Sequence, residues 1–192
     1  VAREAILDAA WAVAREQGIA AVTLREVATR VGMRPPSLYS HFDSKHAIYD
    51  AMFGQAWQDF DDSVAAVELP DDPRAALHTL TRHYVTFSLE DLARHQLMDQ
   101  RVIPDFTPTP ENYAPAVRAL ERVRRALEQI TGGLDDDDMD LIVVVTGGLV
   151  GAQWQNDPGG TRYVRQLDRI VDLLADELDL PTTRPSEETR RP

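Results

Sequence analysis

The chain has 192 residues, about 43% of them hydrophobic, which suffices for one sizeable core or for a small domain joined to a larger one. It has no cysteine, which excludes disulfides, thiolate metal sites and cysteine nucleophiles and fits a reducing cytoplasm. The net charge of −12 argues against a uniformly basic coat for nucleic acid, yet residues 1–50 hold six Lys+Arg and six Asp+Glu while residues 51–192 hold 14 and 26. A neutral head is thus joined to an acidic body. No signal peptide is expected at the start, and the longest apolar run, Leu141 to Ala152, is too short to span a membrane.

Helical periodicity runs through the whole sequence, and strand alternation is almost absent. The first helix is expected over 3–17, with Ile6, Leu7, Ala10, Trp11 and Ala14 as its apolar stripe and Gly18 as its stop. "TLRE" reads as a capping box, with Thr23 capping and Glu26 reaching back, for a short helix over 24–31 that stops at Gly32. The next helix begins at Pro35 or Pro36, since a proline's missing N–H is harmless in a first turn, and it ends near Phe42. A long helix follows over 44–67, capped by Asp43 or Ser44. Further helices are expected over 73–91, 93–102 and 110–130. Between the last two lies a loop rich in proline. The last two helices are placed at 138–156 and 161–179, the final one capped by Thr161. The tail, 181–192, has the composition of a disordered segment. The fold class is therefore all-α, with roughly nine helices: three short ones in the first 42 residues and long ones after them.

A short capped helix, a glycine turn and a second short helix make a helix-turn-helix. The spelling of "TLREVATRVGMRPPSLYSHFDSKHAIYDAM" is more specific. Through Thr23, Val27-Ala28, Val31-Gly32-Met33, Ser37-Leu38-Tyr39, His41-Phe42 and Lys45 it closely resembles the DNA-binding domain of the TetR family of transcriptional regulators. The likeness covers residues 3–50. It implies an N-terminal three-helix DNA-binding domain, residues 1–46, and a helical ligand-binding and dimerisation domain, residues 47–180. It also implies phosphate contacts at Thr23, Tyr39, His41 and Lys45 and a base contact at Arg25.

The chemistry of the residues agrees with that reading. The second helix of such a motif lies in the major groove with its N-terminal residues at base edges. Arg34, Pro35, Pro36 and Ser40 would face bases, Arg34 by a forked contact to guanine. Ser37, Tyr39, His41 and Lys45 would hold phosphates. Leu38 and Phe42 should be core. Many relatives carry a small or polar pair where this chain has Pro35-Pro36, so the resemblance does not carry over which bases are read.

In the body, Trp57, Tyr84, Phe87, Met98, Phe106, Tyr113 and Trp154 are candidate walls of a small-molecule pocket; ordinary core packing is the alternative for each. Val164, Leu167, Val171, Leu174 and Leu178 repeat at 3,4 spacing as a narrow seam, and Gly147, Gly148 and Gly151 permit close helix approach. The resemblance implies a homodimer built on these two helices. "DDDDMD" fits a helix start rather than a cation loop. Arg118, Arg122 and Arg125 read as a solvated face paired with Glu121 and Glu128. No phosphate loop, paired-histidine spacing or nucleophile with a base is present, so a non-enzyme with no cofactor or metal is expected. The expected partners are double-stranded DNA, a second copy and an unknown small-molecule effector. A helical small-molecule-binding or scaffolding protein without DNA binding is the rival.

Overall fold

A computed structural model describes residues 2–181; the expected tail beyond Pro181 lies outside the described residues. Among the described residues there are nine α-helices and no strand: α1 Ala2–Gln17, α2 Leu24–Arg30, α3 Pro35–Tyr39, α4 Lys45–Ala65, α5 Pro73–Glu90, α6 Leu92–Asp99, α7 Pro110–Thr131, α8 Asp136–Asn156 and α9 Leu167–Glu177. Short 3-10 turns, Ile19–Ala21 and Val164–Gln166, follow α1 and precede α9. The chain forms two compact units, residues 1–66 with 86–122 and residues 67–85 with 123–192. None of the helices is long and apolar enough to cross a membrane.

In the first unit α1 buries Ile6, Ala10 and Val13, α2 adds Val27 and Ala28, and α4 closes the core with Ile48, Tyr49 and Met52. The turn after α2 is a Schellman motif: Gly32 N–H donates to Thr29 C=O and Met33 N–H to Ala28 C=O. Gly32 takes φ 68°, which a residue with a Cβ adopts only with strain. α3 then starts at Pro35 and ends at Tyr39, three residues sooner than the periodicity suggested, with Ser40 as its C-cap. The Glu26 carboxylate accepts from Gln17 Nε2 at 3.4 Å, while Thr23 Oγ accepts the Glu26 N–H at 3.1 Å as expected.

In the second unit α5 and α9 are joined by a ladder. Arg74 pairs with Asp176, His78 Nε2 with Asp172 at 2.9 Å, and Arg82 with Asp168. The 3,4 seam of α9 requires a correction. Leu167, Val171 and Leu174 are buried within this unit, and Val164 and Leu178 are half-buried, so most of the seam packs within the chain itself. The apolar residues left outside are Val143 and Val144 of α8 and Leu173 of α9.

The start of α9 also differs from the expectation. Thr161 caps nothing there; Gln166 is the N-cap, five residues beyond the expected one. Buried Gln153 on α8 explains the delay. Its Oε1 accepts the N–H groups of Tyr163 (2.9 Å) and Val164 (3.1 Å), and its Nε2 donates to Asp157 C=O. The Asp157 carboxylate accepts the Arg162 N–H at 2.8 Å. These four bonds fix an irregular entry where a helical one would otherwise form.

Two outcomes follow. Gln153→Leu strands two backbone donors and should lower unfolding stability by about 1–3 kcal/mol in urea titration. The Arg162 backbone bond, followed by Gln153, holds the Asp157 carboxyl below its usual range. A depressed native pKa contributes stability that is present at neutral pH and lost as pH falls through that lowered value. Asp157→Asn should therefore flatten the acid limb of the stability profile.

Candidate nucleic-acid interface and a cavity in the same unit

The candidate DNA-contacting residues sit on the starts of α2, α3 and α4 and on the turn after α3. Thr23 is the N-cap of α2 and Arg25 lies in its first turn. Arg34 is the N-cap of α3, Pro35 and Pro36 are its first two residues, and Ser37 and Tyr39 complete its outer side. Ser40 and His41 form the following turn, and Lys45 opens α4. Eight of the ten are exposed, Tyr39 at 54%; His41 and Lys45 are half-buried. Leu38 and Phe42, between them in sequence, are fully buried and hold α3 on the core.

Pairing decides which cations remain available. Arg30 forms a two-pronged pair with Glu16, at 2.7 and 2.6 Å, which raises the arginine's pKa and lowers the glutamate's. Arg15 pairs with Asp91 at 2.7 Å. Arg25, Arg34 and Lys45 make no ion pair among the described residues. A head that is neutral by count thus presents basic side chains at the candidate face. Arg3, which sequence reasoning passed over, donates to His41 C=O at 3.0 Å and lies 4.2 Å over the Phe42 ring. It fixes the turn carrying two candidate contacts from 38 residues away, and no local pattern announces that.

The long helix α4 is tied to the head at several points. Trp11 Nε1 donates to Gln55 Oε1 at 2.9 Å. Tyr49, wholly buried, donates its hydroxyl to Ile19 C=O at 2.7 Å, and burial raises its pKa. Ser44 caps α4, accepting the Ala47 N–H.

Behind α4 lies a cavity of about 260 Å³, lined by Phe53, Met98, Asp99, Phe106 and Tyr113 among others. Three of the seven candidate pocket residues thus meet there. Trp57 and Phe87 do not line it. Both are buried, and their rings pack in series with Phe60, at 5.8 Å from Trp57 and 5.0 Å from Phe87. Tyr84 and Trp154 belong to the second unit. On the arginine face of α7, Arg122 (2.7 Å) and Arg118 (3.6 Å) pair with Asp61 of α4, which is 4% exposed. The acidic run is a helix start, where Asp135 and Asp138 form a reciprocal capping box. Among the described residues no group of three or more His, Asp or Glu side chains is placed to hold a metal ion.

Residues 6–52 match the family model of bacterial regulatory proteins, tetR family. It is the N-terminal domain of the chain that is similar to this family. Curated proteins match over part of the chain. The Tetracycline repressor protein class D of Escherichia coli is 33% identical over 73 residues, covering 30% of this chain and 34% of that protein. The HTH-type transcriptional regulator BetI of Rhizobium meliloti is 34% identical over 94 residues, covering 48% and 45%. The chain therefore spans less than half the length of these relatives. The fold extends further: a tetR-family regulatory protein from Rhodococcus RHA1 superposes with a TM-score of 0.70 at 18% identity, covering 94% of this chain and 98% of that one.

Neighbouring substitutions in α3 of the tetR-family domain should separate face from core. Leu38→Ala should cost about 2–5 kcal/mol in chemical denaturation. Tyr39→Ala should stay within about 0.5 kcal/mol.

Proposed function

We propose that the chain is a sequence-specific DNA-binding transcription regulator: a dimeric repressor, acting in the cytoplasm, that leaves a palindromic operator when a small molecule occupies its helical part. One observation carries this reading. In a tetR-family domain, Thr23, Arg25, Arg34, Pro35, Pro36, Ser37, Tyr39 and Ser40 are exposed while Leu38 and Phe42 are buried. Exposed side chains, arranged as hydroxyl, phenol and guanidinium donors beside the His41 imidazole and the Lys45 ammonium, are suited to phosphates and base edges.

A palindrome requires two heads, about 34–36 Å apart for successive major grooves. The surface that supports a second copy lies on α8 and α9. Val144 is 69% exposed and Leu173 61%, and Cβ atoms built on Gly147 and Gly148 meet nothing within 4 Å. Those glycines are not needed for packing within the chain, and they leave a smooth apolar strip that a twin helix can approach. Gly151, whose nearest neighbour is its own Gln155, continues the strip. On this reading residues 1–46 are the reading head and residues 47–180 the dimerisation and effector part, with α4 as the mechanical link. An effector must bind the two head spacings with different affinity in order to shift them.

Selection of random duplexes by the purified protein should recover an inverted repeat; folded protein that enriches nothing overturns the reading. On the recovered site, Arg34→Ala should lose about 1–3 kcal/mol and relax preference at one base pair. Lys45→Ala should weaken all sequences alike and reduce the slope of log K against log salt by about one. Val144→Asp should convert the dimer to monomer by sedimentation and cost the inverted repeat its cooperative occupancy.

A further inference from the structure

Phe106 serves two parts of the first unit at once. It lines the cavity, and its ring lies 6.0 Å from Tyr49, edge-on at 63°, 6.3 Å from Phe53 and 6.1 Å from His46. A turn from Ile103 to Phe106 presents it, with Asp105 at φ 57° in the left-handed region. Tyr49 in turn holds Ile19 C=O at 2.7 Å and Val22 C=O at 3.4 Å, the residues leading into Thr23.

The loop carrying Phe106 is pinned just beyond the ring. Asp50 Oδ1 accepts the Thr109 N–H at 2.7 Å, and its Oδ2 accepts the Thr109 hydroxyl at 2.8 Å and Asn112 Nδ2 at 2.6 Å. Asn112 seats directly on Gly54, where any Cβ would fall 2.5 Å from its Oδ1. A guest that pushes on Phe106 therefore cannot carry the whole loop away, and the ring must press on its neighbours in α4. Packed aromatic cores yield by discrete ring displacement.

The cavity's walls indicate the guest. Phe53 and Tyr113 lie with ring planes 10° apart and centroids 6.2 Å apart, so a planar guest can lie parallel to both. A dry apolar cavity of about 150 Å³ holds benzene and drug-sized sites begin at about 300 Å³, so one or two fused rings suit 260 Å³. Asp99 lines one side; it faces His95 Nδ1 at 2.9 Å and keeps lone pairs for a donor on the guest. We infer that this cavity takes a planar aromatic compound of one or two rings bearing an N–H or O–H donor, and that Phe106 passes its occupancy through Tyr49 to the segment leading into Thr23. The consequence for DNA affinity rests on the regulator reading above; the cavity and its relay do not.

The test is titration of the isotope-labelled full chain with indole, read by amide chemical shifts. Wild type should bind saturably, with shifts at residues 106–113 and at 19–24. Tyr113→Ala, at a half-exposed position, should weaken binding about threefold to tenfold. At saturating indole, Phe106→Leu should lose the shifts at 19–24 while those at 107–113 persist; Phe106→Met, which conserves volume, serves if leucine unfolds the loop. Absence of saturable binding, equal affinity in Tyr113→Ala, or shifts at 19–24 that survive both Phe106 substitutions overturns the inference. Failure of the duplex selection with these shifts intact would remove the regulator reading and leave the cavity assignment standing.

Discussion

A single buried hydrogen bond sets the frame of the first unit. The chain leaves α1 at Gly18 and makes one 3-10 turn before α2, and a single turn of this kind leaves its carbonyls in need of further donors. Tyr49, thirty residues downstream on α4 and inaccessible to solvent, supplies the donor to Ile19. Ile19 C=O otherwise has only the long 3.4 Å bond from Val22 N–H, so the Tyr49 hydroxyl holds α4 where the head's irregular backbone needs a stronger donor. Trp11 to Gln55 and Arg3 to the His41 carbonyl tie down the two sides of the same junction. The exposed residues of α2 and α3 take their positions from these bonds, which explains how a five-residue helix such as α3, far too short to be stable alone, keeps a defined face.

Charge is sorted by pairing more than by count. The body's acids build structure: Asp168, Asp172 and Asp176 bind α5 to α9, and Asp61, almost inaccessible, draws Arg122 and Arg118 onto α4. The exposed pairs among these are individually weak, and their regular four-residue spacing along both helices matters more than any one. In the head, Glu16 and Asp91 engage Arg30 and Arg15, and Asp50 is occupied by Thr109 and Asn112. Among the described residues Arg25, Arg34 and Lys45 of the candidate face are left without an ion pair, and Arg3 binds a carbonyl instead.

The limits of what the sequence discloses follow from range. Caps, glycine stops and proline starts act within four residues, so α1, α2, α4 and α8 were legible to within two residues of their bounds. The α9 entry was not, because the segment before it is held by the side chain of Gln153, across a turn. Periodicity located the stripe Leu167, Val171, Leu174 correctly but could not say what it faces, since core and partner demand the same spacing. The aromatic residues show the same ambiguity: Met98, Phe106 and Tyr113 line a cavity while Trp57 and Phe87 fill core, and nothing local distinguishes them. Arg3, Tyr49 and Asp50 act through contacts 27 to 62 residues distant, beyond any pattern visible along the chain.

The proline pair constrains how such a face can work. A helix N-terminus ordinarily offers free N–H groups to a phosphate. Here Pro35 and Pro36 have none, and the next two, Ser37 and Leu38, donate to Arg34 C=O at 2.9 and 3.4 Å. No backbone donor is left at the start of α3, so on the DNA-binding reading the grip on phosphate must come from side chains and from the capped start of α4. Pro35 also holds Arg34 in extended backbone, φ −75° and ψ 139°, which launches its guanidinium from a fixed point beside two rigid, apolar rings. A helix start of this kind exchanges backbone affinity for stiffness and shape, and it favours a base step that can meet an apolar surface, such as a thymine methyl, next to a guanine that Arg34 can fork.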